Sequence, residues 1–194
     1  MPELKDEKEL EDYLFETFKA DGHGFTTFRQ FSISTYGVVD LIRFKAYKYT
    51  PNSNSNPVNI LDIEIIELKK GKIGYSEVGQ ILRYKRGIDR YIAAHLGSRF
   101  DIVNVSCELI GSDVERGGDF VFLVSYLIDN DILSITTFNL MLEKGITFSE
   151  MRSDWYMTNE DFKDLDAYFN KNILKANIKE INLLPALKEA KTGA

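Results

Sequence analysis

Residues 60–71 read ILDIEIIELKKG, and the fold turns on them. Leu61, Ile63 and Ile65 fall on one side of an extended chain, while Ile60, Ile66 and Leu68 fall on the other. A strand with apolar side chains on both faces belongs in the middle of a sheet that is covered above and below. Directly after it the period changes. From Ser76 to His95 the residues Val78, Ile81, Leu82, Ile88 and Ile92 recur at helical spacing, and Ser76 is placed to cap the start. Asp101 to Ile110 alternates again, which predicts a returning strand. Strand, helix and strand in that order form the crossover unit of mixed sheets, nearly always right-handed, so the helix covers one sheet face.

Upstream, Leu10, Leu14 and Phe18 recur every four positions between Glu7 and Phe18, joined by Phe15, so this segment is a helix laid on the core along one stripe. Asp21, Gly22 and Gly24 stop it. Phe25–Ser34 and Gly37–Tyr49 are aromatic and branched, and Thr35-Tyr36-Gly37 turns between them, a hairpin. The stretch PNSNSNP, residues 51–57, is a loop. Downstream, Gly111–Gly118 is a polar turn, Asp119–Ile128 reads as an apolar strand, and Ile132–Phe148 as a strand pair turning near Glu143 to Gly145. Thr158 with Asp161 fits a capping box for a helix carrying Phe162, Leu165 and Phe169, and the tail from Lys175 has a weaker helical pattern. The expectation is an α/β (α+β) fold, a central mixed sheet flanked by helices with additional C-terminal strands and helices. It forms one domain over residues 1–194, with a core at about 7–128 and an elaboration at about 129–194.

With 194 residues, 44% of them hydrophobic, the chain is long enough for a sizeable core and too apolar to be a disordered polymer. The single cysteine, Cys107, cannot form an internal disulfide and lies in an alternating apolar run, which suits a buried thiol in a reducing cytoplasm. No stretch reaches the length of a membrane span, and the acidic start MPELKDEKELED lacks the positive flank of a secretion signal. Two histidines, His23 and His95, and one cysteine are too few for a closed zinc site, so a metal here is a hard, oxygen-bound one. The net charge of -6 argues against nonspecific coating of nucleic acid, but its distribution is uneven. Between positions 69 and 90 stand Lys69, Lys70, Lys72, Arg83, Lys85, Arg86 and Arg90 against only Glu77 and Asp89.

Glu67 and Lys69 stand two apart at the end of the central strand and so share a face. Ionised groups at the margin of burial cost free energy unless they are paired or bind a metal. The same spacing at Glu3/Lys5, Asp6/Lys8, Asp161/Lys163 and Glu189/Lys191 lies in polar or helical segments and carries no such tension. A second carboxylate, Asp40, sits inside GVVDLIRF among Val38, Val39, Leu41 and Ile42, unusual for a strand acid without a partner. The plain alternative is a salt bridge from Asp40 to Lys69 or Arg43. If Asp40 and Glu67 converge, they make a hard-cation site suited to magnesium, with the Leu68 carbonyl as a neutral oxygen and Lys69 beside the attacking water. On the helix, Gln80 and Tyr84 share a face, with Glu77 and Tyr91 near the same line, amid basic residues suited to phosphate. His23 reads as surface, His95 as a favourable contact at a helix end, and Trp155 and Tyr156 as core anchors rather than base-stacking groups.

The succession GVVDLI, IIELKKG and EVGQILRYK resembles the core of the PD-(D/E)XK nuclease superfamily, in particular its RecB-like and NucS-like members with a glutamine and tyrosine helix motif. The resemblance covers roughly residues 7–128 and implies a restriction-endonuclease-like fold and a Mg²⁺-dependent nuclease, with Mn²⁺ able to substitute. It places the metal-binding aspartate on Asp40, the acid and lysine on Glu67 and Lys69, and the helix pair on Gln80 and Tyr84. The first-helix glutamate becomes Glu11, with Glu7 as the alternative. Lys70, Lys72, Arg83, Arg86 and Arg90 become the track for DNA, whether single-stranded, branched or duplex. Val39 stands where proline often precedes the aspartate, and the PNSNSNP loop lengthens the interval between Asp40 and Glu67. Two other readings stay open beside this one: a nucleic-acid-binding module that does not cut, and a protein-interaction domain whose tyrosine and phenylalanine content marks an interface, with homodimerisation as its sign.

Overall fold

The computed structural model describes residues 6–52, 55–97, 99–141 and 145–151. The chain divides into two units, Met1–Tyr156 and Met157–Ala194, and every described residue belongs to the first. The elements are α1 (Glu7–Ala20), β1 (Thr26–Ser32), a 3-10 turn (Ser34–Tyr36), β2 (Val38–Tyr49), β3 (Val58–Ile73), α2 (Tyr75–His95), β4 (Ile102–Val114), α3 (Asp119–Asp129), β5 (Ser134–Met141) and β6 (Gly145–Glu150). The strands form one sheet in the order β1-β2-β3-β4-β5-β6. β3, β4 and β5 run parallel, and the outer pairings β1/β2, β2/β3 and β5/β6 are antiparallel. The fold is therefore α+β, a central mixed sheet flanked by helices.

The two-faced strand does what its pattern requires. Leu61, Ile63 and Ile65 of β3 enter a core with Val78, Ile81 and Ile88 of α2 and Phe120, Val124 and Leu127 of α3. Ile66 and Leu68 enter a second core with Leu10 and Leu14 of α1. Each such side chain, fully buried, contributes about 1.5–3 kcal/mol. The β3–α2–β4 and β4–α3–β5 crossovers step the same way across the sheet, and crossovers of one hand then place both helices on one face. α2 and α3 share one core accordingly, and α1 covers the other face. The hairpin of β1 and β2 forms as its aromatic and branched runs predict, turning through residues 34–36.

Three expectations are corrected. Residues 111–114, read as the start of a polar turn, continue strand β4, because β3 runs on to Ile73 and offers them partners, Lys69 to Gly111 and Ile73 to Val114. Residues 119–129 are helix α3, not a strand. A ten-residue apolar run fits either period, and here the buried residues Phe120, Val124 and Leu127 recur at helical spacing while Phe122 and Tyr126 face outward. Ser76 does not cap α2. The cap residue is Gly74, whose N–H donates to Glu77 Oε2 at 2.8 Å, while the Ser76 hydroxyl donates to Glu77 Oε1 at 2.6 Å. The helix expected after Thr158, the aromatic pair Trp155 and Tyr156, the tail from Lys175 and Glu143 of the last turn lie outside the described residues. Among the described residues no helix is long and apolar enough to cross a membrane. Cys107 is buried, and desolvation pushes its thiol up to about 12, so it is inert at neutral pH.

Candidate active site

The antiparallel register of β2 and β3 runs from Tyr49↔Val58 to Leu41↔Ile66. The next residues along the two strands are Asp40 and Glu67. There the ladder gives way to side chains, and Asp40 Oδ2 accepts the Leu68 N–H at 2.9 Å. The two carboxylates singled out by sequence are thus brought together, and among the described residues neither is neutralised by an ion pair. The alternative of a bridge from Asp40 to Arg43 fails, because Arg43 is held by Asp21 and by Glu64 and is stacked between the Phe18 and Phe25 rings.

Glu67 is the most constrained of the set. It is only 7% exposed, its Oε1 accepts the Gln80 amide at 2.5 Å, and its Oε2 is buried with no hydrogen-bond partner. Burial, reinforced by the neighbouring Asp40 charge, pushes its carboxyl up to about 8. Asp40 is also raised, first by burial and then by Glu11 and Glu7, against the pull of the Leu68 N–H and Gln30. Asp40, half-buried, and Glu67, buried with one oxygen unpartnered, thus stand side by side at the ends of β2 and β3.

Gln80 and Tyr84 lie one helical turn apart on α2, as read from sequence, and their roles are now visible. The Gln80 amide lies 2.7 Å from the Tyr84 hydroxyl as well as donating to Glu67. Tyr84 is only 2% exposed, so it anchors the amide from within the core rather than from a solvated face. Its ring packs over Gly37, where a Cβ would stand 2.7 Å from Tyr84 Cε1 and the backbone has φ +118°. Only glycine suits both the conformation and the approach.

Lys69 does not touch Asp40. Its Nζ lies 3.6 Å from Glu7 Oε1 and 3.8 Å from Glu77 Oε1, near enough for its charge to act on Glu67. Glu11 is buried, with one oxygen accepting Arg29 Nε at 2.7 Å and the other Gln30 Nε2 at 2.7 Å. Glu7, the alternative first-helix acid, lies at the surface with Lys69. At Leu68 the group seen in contact is the peptide N–H. Among the described residues no cluster of three or more His, Cys, Asp or Glu side chains is disposed to hold a metal ion. A hard cation there would rest on Asp40 and Glu67, one or two carboxylates with water being the usual magnesium set. The hard-oxygen donors and the orphaned Glu67 oxygen fit such an ion.

A cleft of about 480 Å³ opens beside Asp40, lined by Glu7, Lys8, Glu11, Arg29, Gln30 and Asp40. A larger cavity of about 970 Å³ lies along the C-terminal half of α2, against Phe31, Phe44, Leu61 and Ile63. Among the described residues no carboxylate lines it, so size does not mark the chemistry here. The basic residues divide in two. Arg83 donates to the Tyr36 carbonyl at 2.9 Å and Arg90 to the Tyr36 hydroxyl at 2.8 Å, so both brace the 3-10 turn. Lys72 lies 4.0 Å from Asp113, while Lys70 and Arg86 are exposed.

Sequence reasoning passed over Gln30 and Arg29. A polar pair in the otherwise aromatic and hydroxylic strand TTFRQFS was the available signal. Nothing in the sequence announced that Gln30 adopts φ +46°, a conformation that costs a non-glycine residue about 1 kcal/mol or more. Comparisons with protein-family models, with curated proteins and with solved structures give no match.

Proposed function

We propose that this chain is a Mg²⁺-dependent nuclease of restriction-endonuclease-like type, hydrolysing phosphodiesters of DNA by a water molecule without a covalent intermediate. The resemblance to the PD-(D/E)XK superfamily rests on the order of Asp40, Glu67, Lys69, Gln80 and Tyr84. The single observation that carries the reading is the buried, unpartnered Oε2 of Glu67 beside the Asp40 carboxylate. An ionised group so placed is costly unless a cation completes it, which is why Glu67 otherwise keeps its proton.

Asp40 and Glu67 would hold the ion, with the Leu68 carbonyl as an added neutral ligand. When bound, it would polarise the phosphate and lower the pKa of water. Gln80, anchored by Tyr84, fixes the direction of Glu67. Lys69, restrained by Glu7 and Glu77, supplies an ammonium beside the reacting phosphate that steadies its developing charge and orients the water. The water oxygen forms the new bond to phosphorus and gives up a proton, and the ester oxygen departs and takes one. Lys70, Lys72 and Arg86 offer charge to the flanking backbone, with Arg83 and Arg90 shaping that surface.

The test is hydrolysis of single-stranded, branched and duplex DNA with and without Mg²⁺, in the native chain and in Glu67→Ala and Lys69→Ala variants. Metal-dependent products from the native chain alone support the reading. A native chain as inert as both variants on every substrate overturns it. The second reading is a binding module that does not cut, which needs the exposed Arg86 surface but no metal. Salt-sensitive DNA binding without product is its signature.

A further inference from the structure

We propose that Gln30 is a positioning residue for the cation site, holding Asp40 in the orientation that faces Glu67. The inference rests on the nuclease reading for its metal and on geometry for its linkage. One side-chain amide nitrogen serves two acids, donating to Glu11 Oε2 at 2.7 Å and to Asp40 Oδ1 at 3.1 Å. An amide NH₂ has two hydrogens, so its donor capacity is used up. The other Asp40 oxygen takes the Leu68 N–H, so the carboxylate is clamped at both ends, by backbone on one side and by Gln30 on the other.

Glu11 is buried and its remaining oxygen is taken by Arg29 Nε at 2.7 Å, which fixes the far end of the bridge to α1. Arg29, in turn, is tied to Asp12 and lies 5.1 Å from the Phe15 ring centre. The bridge therefore connects the covering helix, the edge strand and the carboxylate in one chain of contacts. Its cost is visible in the backbone. Gln30 sits in the left-handed region at φ +46°, within strand β1, where the pairs Arg29↔Leu41 and Phe31↔Val39 flank it on either side. A glutamine held there against its preference, with its amide placed between two acids, points to a role in the site rather than in the strand.

Groups that orient metal-binding carboxylates typically change metal affinity 10- to 100-fold when removed. Gln30→Met keeps the length of the side chain and removes both donors. Gln30→Glu keeps the shape and replaces the donors by a third acid. Mn²⁺ titrations followed by electron paramagnetic resonance, well below the melting temperature, are expected to show affinity weakened about 10- to 100-fold in Gln30→Met. A purely structural role would lower the melting temperature and leave the affinity of the folded protein unchanged. Independently of metal, a melting cycle combining Gln30→Met with Asp40→Ala is expected to be non-additive, because each change by itself removes the one Gln30–Asp40 hydrogen bond. Gln30→Glu is expected to melt lower than Gln30→Met without metal and to regain more on adding Mn²⁺. Mn²⁺ affinity within twofold of the native chain, or additive melting shifts, overturns the proposal. A native chain that binds no Mn²⁺ sinks the metal-site reading instead, and the melting cycle then decides on the Gln30–Asp40 link alone.

Discussion

Gln80 of α2 donates its amide to Glu67 Oε1 of β3 at 2.5 Å, and so couples the helix that covers the sheet to the acid at the end of its central strand. The bond leaves the second Glu67 oxygen as the open valence of the site. Replacing Gln80 by leucine would strand both oxygens. A buried acceptor left unmade costs about 1–3 kcal/mol, and urea denaturation at pH 9, where Glu67 is ionised, is expected to show a loss of that size. The loss should shrink at pH 5, where the carboxyl holds its own proton.

Glu67 titrates near 8 in the folded chain against 4.5 for an ordinary glutamate. Its raised value stabilises the folded state fully below about 4.5, and that contribution is lost as pH rises through 8. The cation-free protein is therefore expected to melt lower at pH 9 than at pH 6, and Glu67→Gln is expected to flatten that slope. A cation must displace the proton, so Mg²⁺ binding should tighten about tenfold per unit of pH below 8, with proton release measurable by calorimetry in buffers of different ionisation enthalpy.

Gly37→Ala meets two penalties at once. The backbone at φ +118° disfavours any side chain, and the new Cβ would stand 2.7 Å from the Tyr84 ring. A loss of about 1–3 kcal/mol in chemical denaturation is expected. Since Tyr84 anchors Gln80, activity should fall further than the fraction unfolded explains. Activity that follows the folded fraction alone would separate Gly37 from the site.

Arg86 and Arg83 are close in sequence and differ in employment. Arg86 is exposed, whereas Arg83 is spent on the Tyr36 carbonyl. Arg86→Ala is expected to weaken DNA binding, reduce the slope of log affinity against log salt by about 1 and leave the melting temperature unchanged. Arg83→Ala is expected to lower stability by about 0.2–1 kcal/mol, because its hydrogen bond to the Tyr36 carbonyl is solvent-exposed. Equal salt slopes in Arg86→Ala and the native chain would remove Arg86 from the proposed DNA track.

The central strand was legible because its two apolar faces leave it one place to go, and the change of period after Gly74 announced the covering helix. The run from Asp119 to Ile128 was misread, since apolar residues at nearly every position satisfy both periods and only burial against α2 and β5 selects the helix. Asp40, Glu67, Gln80 and Tyr84 could be named as a set from charge set against apolar context and from helical spacing. The part of Gln30 could not, because its left-handed backbone and its double donation depend on where α1 and β2 come to rest.

As far as Ile110, local chemistry was enough to dictate which segments extend and which coil, and that acids stand where apolar residues are expected. Whether those acids meet was settled by the long-range register of β2 against β3, which ends its ladder at Leu41 and Ile66 and leaves Asp40 and Glu67 as neighbours. Register, burial and the competition of donors for each carboxylate oxygen are properties of the packed chain. They assign Arg43 to Asp21 and Glu64, Lys69 to Glu7 and Glu77, and leave Glu67 Oε2 unclaimed.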